Sequence, residues 1–406
     1  MTKNNSKKKL SEKSSLVVSQ AKEQKRIYFD WAASAFENGN PSSLHNEGRK
    51  AKQILEDSRH RCAAVLNVPP QTLYFTSGGT ESNSIAIFSN LMRPGKGRVI
   101  SSLAEHASVR EAMETLFKIG KPTGIIAVDS AGRVTPFTLE KALTQYGDVR
   151  FVSIMSVNNE TGAVTDIASL KDVIGKYVSN GKAPVHFHCD LVQAIGKIPV
   201  DIQNWEIDSA SISAHKISGP RGIGLLYLRK PLDVFYTGGG QENGIRGGTE
   251  NTFGAAALAD CLEKYAGAVS KNTNGLHCEY FLQAKKRWKK LLTALKSLNR
   301  CTIIPKERFY SDTSAAYDDG FSPYILQAAF KDIPGEVMAR ALDDLGFAVS
   351  TGSACSSSSP ERPVLSAMGV EEKLRIEGIR ISQGYTTTDD DIDLLLGGIS
   401  EVLKFL

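Results

Sequence analysis

The chain has 406 residues, 41% of them hydrophobic, so it can bury a large core as two closely associated domains or one elaborated α/β domain. Its net charge of +5 arises at one end, because residues 1–26 carry eight Lys and Arg against two Asp and Glu, and the other residues carry 41 basic against 42 acidic side chains. The body of the chain therefore lacks the basic excess that nucleic-acid binding needs, and it has no apolar run long enough to suggest a membrane span.

Residues 1–26 are polar and rich in lysine, and we expect a disordered tail. Their only apolar run, residues 16–18, is too short for a secretory signal. A transit peptide is the alternative, although arginine is scarce and acidic residues are present. The six cysteines form no CxxC pair and no metal-ligand spacing, which favours free thiols, a cytoplasmic location and no metal site. His186 and His188 share one face of a predicted strand, but without a third ligand nearby we favour packing and hydrogen bonding.

The first half of the chain alternates strand and helix patterns. Residues 46–66 place apolar side chains on one face of a predicted helix. The segment LYFTSGGTESNSIAIF, which starts at residue 73, then predicts a strand, a glycine turn and a helix. Gly79 would let the backbone approach a ligand closely, and the amides that open the helix near Thr80 would face an anion such as a phosphate. The same turn also occurs in ordinary strand-to-helix connections.

Three further strands end at polar residues. RVISS is followed by His106 at a predicted helix start, and RFVSIMSV is followed by Asn159. The alternating run VHFHC ends at Asp190, which could either cap the next helix or contact a ligand, because open α/β sheets place ligands at the carboxyl ends of their strands. The repeated alternation up to about residue 270 predicts a mostly parallel sheet covered by helices.

The segment SISAHKISGP contains Lys216 where a predicted strand stops and a tight loop begins. A positioned and partly desolvated amine can form a Schiff base with a carbonyl cofactor such as pyridoxal 5'-phosphate (PLP). Asp190, about 26 residues earlier, would keep the pyridine nitrogen of that cofactor protonated. A solvated surface lysine is the ordinary alternative.

From about residue 276 the chain becomes helical and charged, and SPYILQAAF and FAVSTGSAC then predict strands of a smaller domain. Arg380 in EGIRISQG could bind a carboxylate with two parallel hydrogen bonds or form a structural salt bridge. Cys355 lies in a serine-rich segment that ends in prolines. We interpret this segment as an accessible loop, although a cysteine is more often a small buried hydrophobe.

Asn159 in VNNETG, Asp190 and Gln193 in HCDLVQ, Lys216 in SAHK and Cys355 in STGSACSS occur in an order that resembles the cysteine desulfurases of the NifS/IscS type. These enzymes are class V aminotransferases within the fold-type I PLP enzymes, and the resemblance covers nearly everything from Ile27 onward. It implies an α/β fold with a large PLP-binding domain built on a mostly parallel seven-stranded sheet and a smaller α+β C-terminal domain. We place these domains at 27–275 and 276–406, and residues 27–43 could pack with the smaller one.

The resemblance also implies roles for particular residues. The residues that would bind PLP are Gly79, Thr80, His106, Asn159, Asp190, Gln193, Ser213, His215, Lys216 and Thr249. The residues that would bind the substrate are Asn40, Asn159 and Arg380, and the catalytic residues would be Cys355, Lys216 and His106. In the family the residue matching Thr249 reaches the phosphate bound to a neighbouring subunit, so we expect a homodimer.

The activity that the resemblance implies is conversion of L-cysteine to L-alanine, with the sulfur retained on Cys355 as a persulfide. A sulfur acceptor, either an iron–sulfur scaffold or a tRNA-thiolation carrier, would then receive it. A selenocysteine lyase is an alternative, as is another class V aminotransferase, which would not need Cys355. A non-catalytic scaffold of this fold would be expected to have lost Lys216 or Asp190. Many IscS-type relatives bind their scaffold through a longer C-terminal extension, and its absence after residue 406 leaves the acceptor open.

Overall fold

The structure is a computed structural model that describes residues 27–35, 39–93, 95, 97–266, 276–308, 320–352 and 362–406. By its internal contacts the chain divides into two units, Met1–Gln53 and Ile54–Leu406. In these described ranges we find no helix that is both long enough and apolar enough to cross a bilayer.

In the first unit, a short polar network organises the residues before the first helix. Asp30 Oδ2 accepts a hydrogen bond from Ser43 Oγ at 2.7 Å and lies 2.9 Å from His45 Nε2. Asn40 Nδ2 donates to the carbonyl of Ala33 at 3.1 Å. Asn40 therefore stabilises a turn of its own unit, and its contact with substrate stays a prediction.

The helices are numbered here in chain order. They are α1 (Asn46–Leu66), α2 (Gly79–Phe88), α3 (Ala107–Lys118), α4 (Pro136–Tyr146), α5 (Ile167–Ser179), α6 (Thr252–Tyr265), α7 (Leu276–Lys296), α8 (Gly335–Asp344), α9 (Pro363–Ala367), α10 (Glu372–Glu377) and α11 (Asp389–Phe405). The helix predicted at 46–66 is confirmed with those bounds.

The strands form two sheets. They are β1 (Leu73–Thr76), β2 (Arg98–Ser102), β3 (Thr123–Ile126), β4 (Val149–Met155), β5 (His186–Asp190), β6 (Ser209–Ser213), β7 (Gly224–Leu228), β8 (Cys301–Ile304), β9 (Ile325–Phe330) and β10 (Gly378–Ser382). The larger sheet has seven strands in the order β1-β7-β6-β5-β4-β2-β3. In this sheet β7 runs opposite to the other six strands, so the predicted mostly parallel seven-stranded sheet is confirmed.

Both faces of the larger sheet are buried. Leu225 and Tyr227 of β7 belong to one hydrophobic cluster, whereas Leu226 and Leu228 belong to another, because successive side chains of a strand point to opposite faces. Helices cover each face, as expected for a sheet with parallel crossover connections. This explains why strands such as β6 and β7 are buried along their whole length.

The smaller sheet has the order β10-β9-β8 and is antiparallel. Its apolar side chains share a hydrophobic cluster with α7, α8 and α11. In the sequence, the strands of the larger sheet precede residue 275 and those of the smaller sheet follow it. The domain boundary at residue 275 stays a prediction.

The prediction of a strand over FAVSTGSAC is wrong for the part that the structure describes. Ser350 forms only an isolated bridge with Arg380. The Ser350 hydroxyl donates to the carbonyl of Gly352 at 2.7 Å, so the chain turns locally instead of extending the ladder. Cys355 itself lies outside the described residues.

Candidate active site

The carboxyl ends of five strands meet at one edge of the larger sheet. Strands β2, β4, β5 and β6 are parallel, and β1 runs in the same direction because it pairs antiparallel to β7, which pairs antiparallel to β6. The residues that follow these strands therefore meet at this edge, where open α/β sheets bind ligands.

A cavity of about 330 Å³ opens at this edge, a volume typical of a small-molecule site. Its lining includes ten of the predicted site residues: Gly79, Thr80, His106, Asn159, Asp190, Gln193, Ser213, His215, Lys216 and Arg380. Their roles stay predictions.

Asp190 is the last residue of β5 and is buried, with only 5% of its surface exposed. Its Oδ2 accepts from Asn83 Nδ2 at 2.8 Å, and its Oδ1 accepts from the backbone N–H of Val192 at 2.9 Å. These two donors hold the carboxylate in one orientation at the cavity wall, where it could pair with a cationic ring nitrogen.

The turn between β1 and α2 brings backbone amides to the cavity. Gly78 has φ of +152°, a conformation that favours glycine, and α2 begins at Gly79. Gly79 and Thr80 thus place the first amides of a ten-residue helix against the cavity, as an anion site requires.

Lys216 lies in a 3-10 turn, Ala214–Ile217, directly after β6. Ser218 then adopts a left-handed φ of +60°, and the amide of Gly219 donates to the carbonyl of Ala214 at 2.9 Å. This tight reversal fixes the lysine at the sheet edge. Lys216 is a neighbour of His215, whose pKa is lowered by burial and then by the lysine charge.

His106 is the N-cap residue of α3, as predicted, and its Nδ1 accepts from the backbone N–H of Ser108 at 3.1 Å. Burial lowers the pKa of His106 further than the opposing charge of Asp190 raises it. The imidazole is therefore neutral near neutral pH.

Arg380 reaches the cavity from the smaller sheet. Its Nη1 donates to the carbonyl of Asn159 at 3.0 Å, and burial lowers its pKa while the charge of Glu160 opposes that change. The side-chain oxygen Oδ1 of Asn159 is buried and has no hydrogen-bond partner in the described ranges. A partly desolvated guanidinium beside an unsatisfied amide is suited to binding a polar, anionic ligand.

Some contributors to the site were missed at the sequence level. Lys197 Nζ donates to Gln193 Oε1, and its pKa is lowered to about 7 by burial and by repulsion from Lys216 and Arg380. Because a lysine ammonium can only donate, this contact leaves the amide N–H₂ of Gln193 as the end free to donate elsewhere. The i, i+4 spacing of the pair is the only sequence signal for it.

Asn83 was also missed, because nothing in the sequence of α2 distinguishes it from its polar neighbours. In the fold it is only 1% exposed and contacts Asp190, His188 and Ser108. These contacts join α2 to α3 and β5, so the role of Asn83 is apparent only in the folded structure.

Three predicted site residues are not among those that line the cavity. Asn40 and Thr249 are absent from the described lining, and Thr249 lies in an exposed loop. Cys355 lies outside the described ranges.

The residues around the cavity fit PLP. Asp190 could pair with the ring nitrogen, the start of α2 could bind the phosphate, and Lys216 could hold the carbonyl carbon. The unpartnered Asn159 Oδ1 supports this assignment, because a buried polar atom without a protein partner indicates space for a polar ligand.

Comparison with known proteins agrees with this geometry. The model of the family described as aminotransferase class-V matches residues 30–395. The chain is 35% identical over 376 residues to "Cysteine desulfurase IscS" of Dictyoglomus turgidum, covering 91% of this chain and 88% of that protein. It is 36% identical over 376 residues to "Cysteine desulfurase, mitochondrial" of Candida maltosa, covering 91% of this chain and 72% of that protein.

Among solved structures, a NifS-like protein superposes with a TM-score of 0.78 and 33% identity, covering 91% of this chain and 93% of that one. The fold expected from the sequence motifs is confirmed by this match. The chain therefore belongs to the aminotransferase class-V family and, within it, to the PLP-dependent cysteine desulfurases of the NifS/IscS type.

Proposed function

We propose that this chain converts L-cysteine to L-alanine and retains the sulfur as a persulfide on Cys355. The observation that carries this proposal is the single cavity where Lys216, Asp190 and Arg380 converge. Relatives named cysteine desulfurase share 35–36% of their residues with it over most of its length.

Within this function each residue has a distinct task. PLP, when bound, supplies an electron sink for the negative charge that develops at the substrate α-carbon. Arg380 binds the α-carboxylate, and its hydrogen bond to the Asn159 carbonyl limits its movement. Lys216 Nζ takes the proton from the α-carbon, a role suited to an amine held in a rigid turn beside the cavity.

Sulfur transfer follows from thiolate chemistry. The Cys355 thiolate attacks the sulfur of L-cysteine, an S–S bond forms, and the C–S bond breaks with its electron pair passing to the β-carbon. Protonation of that carbon, together with return of a proton from Lys216 to the α-carbon, completes L-alanine. The enzyme retains Cys355 as a persulfide, whose outer sulfur a second thiolate can accept.

Two variants test the assignment. Lys216→Ala should lose the borohydride-reducible linkage between protein and PLP. Cys355→Ser should keep PLP and bind L-cysteine, yet form little alanine or sulfide, because a serine hydroxyl stays protonated near neutral pH and cannot replace a thiolate.

Peptide mapping that places PLP on another lysine would contradict the first assignment. Near-wild-type desulfuration by Cys355→Ser without added thiol would contradict the second. Comparing turnover of L-cysteine with L-selenocysteine separates a desulfurase from a selenocysteine lyase.

We also propose that the enzyme is a cytoplasmic homodimer that hands sulfur to an iron–sulfur scaffold or a tRNA-thiolation carrier. The free thiols of Cys62, Cys189, Cys261 and Cys301 support a reducing location. An apolar groove that includes Phe235 supports a subunit contact, because the exposed fraction of this ring is 62%. Transfer of labelled persulfide sulfur to candidate carriers would identify the acceptor.

A further inference from the structure

A continuous chain of buried and partly buried hydrogen bonds leads from Arg93 to His106. Arg93 Nη2 lies 3.2 Å from His186 Nδ1, and His186 Nε2 lies 2.7 Å from Ser209 Oγ. Ser209 Oγ is 2.8 Å from His188 Nδ1, and His188 Nε2 is 2.9 Å from Asn83 Oδ1. None of these contacts is needed for the mechanism given above.

Arginine fixes the direction of this chain, because a guanidinium has donors and no acceptor. His186 Nδ1 must accept from Arg93, so His186 Nε2–H donates to the Ser209 hydroxyl. That hydroxyl donates to His188 Nδ1, and His188 Nε2–H donates to Asn83 Oδ1. Burial keeps both imidazoles neutral, since it lowers the pKa of His186 well below its ordinary value and that of His188 to about 3.

The side-chain amide of Asn83 donates hydrogen bonds to two residues that line the cavity. Its two N–H groups donate to Asp190 Oδ2 at 2.8 Å and to Ser108 Oγ at 2.9 Å. The Ser108 hydroxyl is then left to donate to His106 Nδ1 at 2.9 Å, where the backbone N–H of Ser108 also donates. Two donors on Nδ1 require that the proton of the neutral ring is on Nε2.

We infer that His106 is held as the Nε2–H tautomer and presents a hydrogen-bond donor to the cavity, with Asn83 and Ser108 as the positioning residues that couple this tautomer to Asp190. The inference rests on the proposed function, because it assigns His106 a task within it. A ring nitrogen that already carries a proton cannot take another. His106 therefore stabilises negative charge that develops in the cavity, as a neutral imidazole N–H can, and Lys216 remains the base.

The tautomer can be measured directly. Full-length, PLP-loaded protein with ¹⁵N-labelled histidine would be examined by two-bond ¹H–¹⁵N correlation, and His106→Gln would identify the His106 signals. We expect a protonated Nε2 and an unprotonated Nδ1 at neutral pH. A protonated Nδ1, or an imidazolium, would overturn the inference.

The role of the positioning residues requires matched variants. Donors to Nδ1 stabilise the neutral ring, so Ser108→Ala should raise the pKa of His106 by about 0.7 units, the equivalent of one ordinary hydrogen bond. Asn83→Ala removes the group that orients the Ser108 hydroxyl and should raise the pKa of His106 in the same direction. Asn90→Ala is the control, because Asn90 is a buried asparagine of the same region whose Nδ2 donates to the carbonyl of Ile87 at 2.8 Å.

Equal His106 titration midpoints in Asn83→Ala and Asn90→Ala would contradict the coupling. If Asn83→Ala does not fold, Ser108→Ala decides the same question, because it removes only the hydroxyl donor. Desulfuration with a protonated Nδ1 would refute this inference alone. Absence of desulfuration with the expected tautomer would refute only the proposed function.

Discussion

Glu105 is a fully buried carboxyl group that precedes His106. Its Oε1 accepts from Ser102 Oγ at 2.5 Å and from the backbone N–H of Met155 at 3.0 Å, while Oε2 has no partner in the described ranges. Burial raises the pKa of Glu105 to about 8, against an ordinary value of 4.5. The folded protein therefore holds this group as a neutral acid at neutral pH.

This raised pKa predicts a pH-dependent effect of Glu105→Gln. Below pH 4.5 Glu105 is protonated in both the folded and the unfolded chain, so it does not lower the free energy of unfolding. As pH rises from 4.5 to about 8 the unfolded chain ionises more readily than the folded one, and the free energy of unfolding falls. Glutamine stays neutral, so the variant should match wild type near pH 4 and exceed its free energy of unfolding by about 4 to 5 kcal/mol at pH 8.5.

Denaturant unfolding at the two pH values, fitted for the free energy of unfolding, measures the effect. Glu111→Gln is the control, because Glu111 is an exposed residue of α3. A constant difference between Glu105→Gln and wild type across this pH range would contradict the assignment of a neutral Glu105.

At the scale of elements, the site depends on how closely α2 approaches the turn that follows β5. A Cβ atom built on Gly79 would lie 2.6 Å from Val192 Cγ2. The amide of Val192 binds Asp190, so this contact joins the predicted phosphate site to the predicted ring-nitrogen site.

We therefore predict that Gly79→Ala weakens PLP binding, because the added methyl group must push the start of α2 away from Val192. The double variant Gly79→Ala with Val192→Ala removes the clash and should recover most of the lost affinity. Fluorescence titration of apoprotein with PLP would measure the dissociation constants, for which we expect a loss of about tenfold in the single variant. Equal affinities of the single and double variants would show that the contact is irrelevant.

At the scale of the whole molecule, the loop that carries Thr249 is anchored by contacts within the same chain. The buried carboxylate of Glu242 accepts from Arg59 Nη2 at 2.7 Å and Nη1 at 2.8 Å. The backbone crosses itself nearby, since a Cβ on Gly238 would lie 2.5 Å from the Cα of Gly247. Gly238 and Gly247 are therefore needed where the two backbone segments of this loop touch. Thr249 is exposed on the same loop.

An exposed Thr249 predicts a shared active site in a dimer. Mixed subunits of Thr249→Ala and Lys216→Ala would form heterodimers in which one site has both native residues. Random mixing should therefore restore about a quarter of wild-type activity, whereas each variant alone stays inactive. A fully active monomer in sedimentation, or mixtures no more active than the separate variants, would contradict the shared site.

The sequence by itself determined the order and character of the elements that surround the site. Hydrophobic periodicity predicted α1, and a strand pattern placed Asp190 at the end of β5 and Lys216 just after β6. These predictions succeeded because helix and strand patterns and glycine turns act over a few residues, and such local preferences agree with the final fold. The strand predicted over FAVSTGSAC failed because the Ser350 side chain bonds locally to the carbonyl of Gly352, which the strand pattern does not reveal.

The tertiary structure alone decided which polar groups meet. Asn83 and Asp190 are 107 positions apart, and Arg380 and Asn159 are 221 apart. The contact of Lys197 with Gln193 spans only four positions, yet the lowered pKa of Lys197 arises from burial and from the charges of Lys216 and Arg380 on other elements. Side-chain orientation and desolvation depend on all the strands that converge at one sheet edge, so they become definite only when the whole sheet has formed.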